Sequence, residues 1–205
     1  MIDLYTWGTP NGRKVSIMLE ALRLQYNVHP IDILAEEQFD EEFLQISPNN
    51  KIPAIVDHEG PDGEPISVFE SGAILLYLAE KYGEFLPDDL RSRTECMEWL
   101  MWQMGNFGPF LGQAHHFNKF APEQVPYAIK RYNTEAQRLW GVLEQRLAGR
   151  QFILGEDLSI ADFAIYPWAM RYEWQHIDLK AFPNVTGWMQ RMGHIEFVQF
   201  GMQVP

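Results

Sequence analysis

The spacing of apolar positions changes character near residue 85. Ahead of it, residues 2–7 form a short run rich in β-favouring side chains, followed by the loop Gly8-Thr9-Pro10-Asn11-Gly12. Val15, Met18, Leu19 and Leu22 then recur at i, i+3, i+4 and i+7, the spacing of one buried helix face. Residues 26–33 read as a second strand that Pro30 confines to an edge or interrupts. Residues 36–46 read as a short helix, and 54–57 and 66–69 as short strands around the turn segment GPDGEP. Residues 71–82 return to helix, with Ile74, Leu75, Leu78 and Ala79 on one side.

Beyond Pro87 no strand pattern recurs. Helices are expected over residues 91–107, 123–147, 158–174 and 183–192. Gly105 and Gly108-Pro109 should kink or end the first, and Pro167 falls inside or near the end of the third. The order is β-α-β-α-β-β-α, a linker, then helices alone, which places one domain at 1–83 and an all-helical one at 89–205. A strand–helix–strand unit favours a parallel pair, and the later β-β pair an antiparallel hairpin. Four short strands with covering helices suit an α/β thioredoxin-like domain, with ferredoxin-like folds still open at this stage.

At 205 residues, 46% apolar and 21% charged, the chain has ample material for a core. A formal charge of −12 disfavours nucleic acid and anionic membrane as partners. No apolar run is long enough to span a bilayer, and the first residues lack the basic and apolar regions of a secretory signal. The single cysteine, Cys96, excludes an internal disulfide, and no Cys/His spacing suggests a metal site. A cytoplasmic setting is the expectation.

Three fragments carry candidate chemistry. Thr9-Pro10-Asn11 lies where a strand meets a helix, and a helix N-terminus stabilises a thiolate. No cysteine stands there, so any thiol must arrive on a ligand. On this fragment alone, helix capping is the simpler reading. In SPNNKIPAIVD, residues 47–57, Pro53 just before a strand is a candidate for a cis peptide bond. That geometry would leave the backbone of Ile52 free to pair with an extended peptide, and Lys51 could meet a carboxylate. In Phe69-Glu70-Ser71-Gly72, Ser71 could cap the next helix beside a bound carboxylate, with Glu70 facing an ammonium. Together they match a γ-glutamyl tripeptide thiol.

These fragments, with the run FESGAILLYLAEKYG, resemble the cytosolic glutathione transferases across both domains. Trp102-Gln103 through Gly108-Pro109 and Gln113-Ala114-His115-His116-Phe117-Asn118 resemble the bacterial nu-class branch, which includes glutathione-dependent disulfide-bond oxidoreductases. The resemblance implies that Thr9 and Asn11 face the sulfur of glutathione. It further implies that Gln38, Lys51 and Ile52 hold the cysteinyl-glycine portion and that Glu70 and Ser71 hold the γ-glutamyl end. Arg131 matches a residue that contacts glutathione in that branch, where a second glutathione can occupy the same cleft. Ser159 and Asp162 match the family's buried capping box, a folding element. The partners implied are glutathione, oxidised glutathione and small disulfides, with no metal and a homodimeric assembly.

The expected activity is therefore glutathione-dependent disulfide reduction, with reduction of organic hydroperoxides as a side activity. Two rivals are conjugation of electrophiles and a non-catalytic binding module. Conjugation would use Phe107, Phe110, Phe117, Tyr166 and Trp168 as an apolar acceptor pocket. Against it, Tyr5 lies in the first strand, Ser16 lies inside the helix, and neither is placed as the usual thiol activator. Cys96 reads as a buried apolar residue, and His115 and His116 as structural or pocket-lining.

Overall fold

The computed structural model describes residues 1–205. Strand β1 (Ile2–Thr6) leads into helix α1 (Pro10–Ala21), strand β2 (Tyr26–Pro30) and, after a 3₁₀ turn at Glu37–Phe39, helix α2 (Glu41–Ile46). Strands β3 (Ala54–Asp57) and β4 (Ile66–Phe69) precede helix α3 (Ser71–Tyr82). The sheet order is β2-β1-β3-β4. β1 pairs parallel with β2 and antiparallel with β3, and β3 pairs antiparallel with β4. β2 is an edge strand, as Pro30 requires, since a proline cannot donate to a ladder on both sides. The expected helix over 36–46 is broken at Asp40, whose extended backbone separates the 3₁₀ turn from α2.

Alternation along β1 turns Ile2, Leu4 and Thr6 inward. Val15, Ile17, Met18 and Leu19 of α1 and Ile74, Leu75 and Leu78 of α3 are likewise fully enclosed, and α1 packs on α3. Gly12 begins the close approach of α1 to the sheet. A side chain there would lie 2.6 Å from the Trp7 carbonyl and would overlap the Thr6 hydroxyl, so no larger residue fits.

The later part holds helices α4 (Leu90–Trp102), α5 (Gly108–His115), α6 (Pro126–Leu147), α7 (Ile160–Ala169), α8 (Pro183–Gly193) and α9 (Glu196–Gly201). Regular α-helix stops at Trp102, near the expected kink or end at Gly105 and Gly108-Pro109, but the chain stays helical. Gln103–Phe107 is a π-helical segment whose wider turn carries α4 into α5, with the Gly108 N–H bonded to the Gln103 carbonyl. The wide turn accommodates the proline ring at the start of α5, where a missing N–H costs little. A second π-helical segment, His116–Phe120, extends α5. α6 starts at Pro126 rather than 123, because a proline with its fixed φ suits the first helical position. α7 ends at Ala169, and a 3₁₀ turn at Tyr172–Gln175 replaces its expected continuation. That turn brings the buried Gln175 side chain to the Trp140 indole N–H (2.6 Å) and the Trp168 carbonyl (2.8 Å).

Contacts divide the chain into one compact unit of residues 1–84 with 195–205 and another of residues 85–194. This differs from a boundary that assigns 89–205 to the helical part. The C-terminal α9 packs on α1, and a Cβ on Gly201 would lie 2.5 Å from Ile17 Cα. A helix of six residues is too short to carry a periodicity that would show this docking in advance.

In the helical unit, Trp140, Trp188, Phe107 and Phe163 are fully buried. Ser159 and Asp162 form a capping box at the start of α7. The Asp162 carboxylate also accepts from the Ile153 N–H at 2.9 Å and from the Trp188 indole N–H at 3.0 Å. Burial raises its pKa to about 6 against the pull of these donors. Cys96 is buried as expected, and burial pushes its thiol up to about 11, which removes it as a nucleophile.

Candidate active site

Two helix N-termini and one loop build the candidate site in the first unit. Thr9 is the N-cap of α1, in an extended conformation, and its hydroxyl accepts from the Gly12 N–H at 3.2 Å. That bond uses the oxygen as acceptor and leaves the hydroxyl proton to donate. Capping and sulfur recognition are therefore compatible in one side chain. Asn11 lies in the first turn of α1, within the partial positive charge of its N-terminus.

The loop after α2 is tied at its base. Ser47 is buried, and its hydroxyl donates to the Lys51 carbonyl at 2.8 Å. The Ile52–Pro53 peptide is cis, as the position of Pro53 suggested. Ile52 makes no backbone hydrogen bond to the rest of the chain, so its N–H and C=O stay open to an extended peptide.

At the third helix the structure corrects the expectation for Ser71. The N-cap is Glu70, with no side-chain capping bond, and Ser71 is the first helical residue, 6% exposed. Glu70 has φ 70° and ψ 116°, a left-handed backbone that costs a non-glycine residue roughly 1–3 kcal/mol. The strained backbone holds the exposed Glu70 carboxylate at the mouth of α3.

Asn11, Lys51, Ile52, Pro53, Glu70 and Ser71 line one cavity of about 130 Å³, with Ser47 and Phe69 completing the wall. Gln38 stands apart from this lining, on the 3₁₀ turn before α2, with its side-chain oxygen buried and unpartnered. Arg131 belongs to the helical unit, where it lines a cavity of about 470 Å³ with Phe110, Tyr127, Lys130, Thr134 and Glu135.

Lys14 was not anticipated. It is 1% exposed, and its ammonium donates to the Ser71 hydroxyl at 3.3 Å. A signal was available, since Lys14 stands four residues before Met18 and so borders the apolar stripe of α1. Burial lowers its pKa to about 7, with the Glu70 carboxylate acting in the opposite direction.

Other candidates are accounted for elsewhere. Tyr5 stacks on His29 with ring centroids 4.7 Å apart and lines a different cavity, beside Phe43 and Ile46. Burial raises the pKa of Tyr5, and Asp3 and Glu42 add to the shift. Ser16 is buried and donates to the Gly201 carbonyl at 2.6 Å, which ties it to the C-terminal segment. His115 is buried against Trp168, and its Nε2 accepts from the Gln175 amide at 3.2 Å. Of the expected apolar acceptor pocket, Phe107, Tyr166 and Trp168 are buried core, and Phe117 stacks on Tyr132. No group of three or more His, Cys, Asp or Glu side chains is placed to hold a metal. No helix is long and apolar enough to cross a membrane.

The chain resembles known proteins in sequence and in fold. Residues 1–80 match the family model "Glutathione S-transferase, N-terminal domain" and residues 107–196 match "Glutathione S-transferase, C-terminal domain". The chain is 53% identical to disulfide-bond oxidoreductase YfcG of Escherichia coli (strain K12), over 94% of this chain and 90% of that protein. It is 43% identical to disulfide-bond oxidoreductase YghU of the same organism, over 98% of this chain and 73% of that protein. A glutathione transferase family member from Pseudomonas fluorescens, solved with two glutathione bound, superposes with a TM-score of 0.95. It is 43% identical, and the match covers 100% of this chain and 93% of that one. A glutathione transferase from Pseudomonas putida, solved with one glutathione disulfide per subunit, gives a TM-score of 0.95 at 43% identity, covering 100% of this chain and 91% of that one.

Proposed function

The chain belongs to the glutathione S-transferase family, and from that premise we propose that it is a glutathione-dependent disulfide-bond reductase in which glutathione supplies all the sulfur chemistry. One observation carries the reading. A cavity shared by the N-termini of α1 and α3 and the Ile52 loop offers donors for a thiolate, a backbone edge and a carboxylate, yet contains no cysteine of its own.

The tripeptide lies extended along Ile52, whose N–H and C=O pair with its cysteinyl backbone. Lys51 and Gln38 hold the cysteinyl-glycine portion. Ser71 and the N–H groups of α3 receive the γ-glutamyl carboxylate, and Glu70 receives the ammonium. The sulfur then sits at the N-terminus of α1, where the Thr9 hydroxyl and the Asn11 side chain donate to it. A thiol of ordinary pKa, about 8.5, is mostly protonated at neutral pH, so a depression of one to two units raises the thiolate fraction several-fold to tenfold or more.

That thiolate attacks one sulfur of a disulfide substrate. The S–S bond breaks, a mixed disulfide with glutathione forms, and the departing thiolate takes up a proton. A second glutathione thiolate attacks the glutathione sulfur of the mixed disulfide, releasing the other half of the substrate as a thiol and forming oxidised glutathione. Two glutathione molecules are oxidised for each disulfide reduced. Arg131, which lines a cavity of the helical unit beside Lys130, is assigned to glutathione binding as a cation. An organic hydroperoxide is reduced at the same thiolate as a side activity. The enzyme acts as a homodimer in the cytoplasm, a compartment suited to a lone buried thiol.

Glutathione-dependent reduction of hydroxyethyl disulfide, measured beside conjugation of chlorodinitrobenzene on one preparation, tests the reading. Reduction well above the uncatalysed rate with weak conjugation is expected. Conjugation without reduction would make the protein a conventional transferase, and neither activity in folded protein would make it a binding module.

A further inference from the structure

Lys14 sits on α1 with 1% of its surface exposed and its ammonium 3.3 Å from the Ser71 hydroxyl. Its α1 neighbours Val15, Ile17, Met18 and Leu19 are fully buried apolar residues. A methionine at this place would continue that packing. A buried ammonium is costly unless a charge and acceptors meet it, so its presence here calls for a reason beyond packing. The opposing charge is the Glu70 carboxylate, which favours the charged amine against the burial that draws it down to about 7. Ser71 and Glu70 both line the small cavity, and both stand at the mouth of α3.

The direction of the hydrogen bond has a consequence. An ammonium has donors and no acceptor. With Lys14 in its charged form, which the nearby Glu70 carboxylate favours, the Ser71 oxygen accepts from it and the serine proton points to another acceptor. The Lys14 charge also lies behind the helix N-terminus, where it adds to the field that the free N–H groups of α3 present.

We propose that Lys14 is a positioning residue for the amino-acid end of glutathione: acting through Ser71, it turns the serine proton toward the γ-glutamyl α-carboxylate and places a second positive charge behind that anion. Lys14 does not touch the ligand. The proposal rests on the site reading above, in which Ser71 and Glu70 receive that end of the tripeptide.

The test compares two ligands that differ only in the anion concerned, glutathione and 4-aminobutyryl-cysteinylglycine, which lacks the γ-glutamyl α-carboxylate. Binding and steady-state disulfide reduction are measured for the wild type, Lys14→Met, Lys14→Arg and Ser71→Ala. The wild type should prefer glutathione by about tenfold or more, the scale of one charge-assisted hydrogen bond. Lys14→Met should reduce that preference to within about twofold and raise KM for glutathione about tenfold, with kcat held within about twofold. Lys14→Arg should restore part of the preference, which a purely structural role would not predict. Folded Lys14→Met that keeps the wild-type preference overturns the proposal. Should Lys14→Met fail to fold, Ser71→Ala decides, because a Ser71→Ala enzyme that still discriminates the two ligands also overturns it. A Lys14→Met enzyme that loses the preference while the wild type keeps it upholds both readings; a wild type that binds both ligands equally overturns the proposal together with the assignment of the γ-glutamyl carboxylate to Ser71 and α3, and one that binds neither removes the whole site reading.

Discussion

Ser16 and Gly201 lie 185 residues apart, yet the Ser16 hydroxyl donates to the Gly201 carbonyl at 2.6 Å. The bond joins the middle of α1 to the end of α9, and the absent Gly201 side chain lets the two backbones approach. Ser16→Ala should lower stability by about 1–2 kcal/mol, since it leaves a buried carbonyl unpaired. Gly201→Ala should cost more, about 2–4 kcal/mol, because the new methyl meets Ile17 backbone that cannot move aside. Urea unfolding gives the loss, and hydrogen exchange should show residues 195–205 losing protection in both variants.

Thr9 and Asn11 are expected to set the reactivity of bound glutathione. The double substitution Thr9→Ala, Asn11→Ala should lower kcat/KM for disulfide reduction by about tenfold to a hundredfold, or ~1.4–2.7 kcal/mol of transition-state stabilisation. The pH–rate profile should also move to higher pH, as the thiol recovers its ordinary pKa. Thr9→Ala alone should cost about 1 kcal/mol of stability through the lost cap. An unchanged rate and pH profile in the folded double variant would remove both residues from the chemistry.

His115 should make the protein less stable in acid. Burial holds its pKa down to about 4, with Arg171 and Lys119 adding repulsion, and its Nε2 faces an amide donor rather than an acceptor. The unfolded chain binds the proton near 6.5, so the neutral form contributes stability above that value. That contribution is lost as pH falls from about 6.5 to about 4, and amounts to ~3 kcal/mol at most. His115→Gln should flatten this part of the stability curve, read from chemical unfolding at a series of pH values.

Asp162 carries the opposite sign. Its pKa rises to about 6 in the fold, above the ordinary carboxylate value. Protonation therefore favours the folded state, fully so below about 4, and that gain is lost as pH rises through about 6. Its bonds to Ile153, Ser159 and Trp188 nonetheless make removal costly. Asp162→Ala should lose about 3–5 kcal/mol, while the folded remainder keeps its kcat for disulfide reduction. Comparing specific activity per folded molecule with thermal stability checks both halves.

Strands, most helices and three pieces of the candidate site were legible along the chain, since each depends on local pattern. Ile2–Thr6 alternates, Val15 to Leu22 recurs at helical spacing, and the turn before Pro53 carries its own geometry. An interruption at Gly105 and Pro109 was legible, but its form was not. There the outcome turned on a π-helical turn, a register that sequence spacing does not encode.

The sequence by itself determined the family resemblance, the succession of strands and helices in the first unit and the absence of a cysteine at the helix terminus where a thiolate would sit, while the sheet order β2-β1-β3-β4 came from the structure. Tertiary structure decided which side chains share a cavity, and how. It moved Ser71 from helix cap to first helical residue, set Glu70 in a left-handed backbone, and buried Lys14 behind both. It also carried residues 195–205 back onto α1. These outcomes rest on desolvation and close packing between segments far apart in the chain, and neither is contained in the spacing of neighbouring residues.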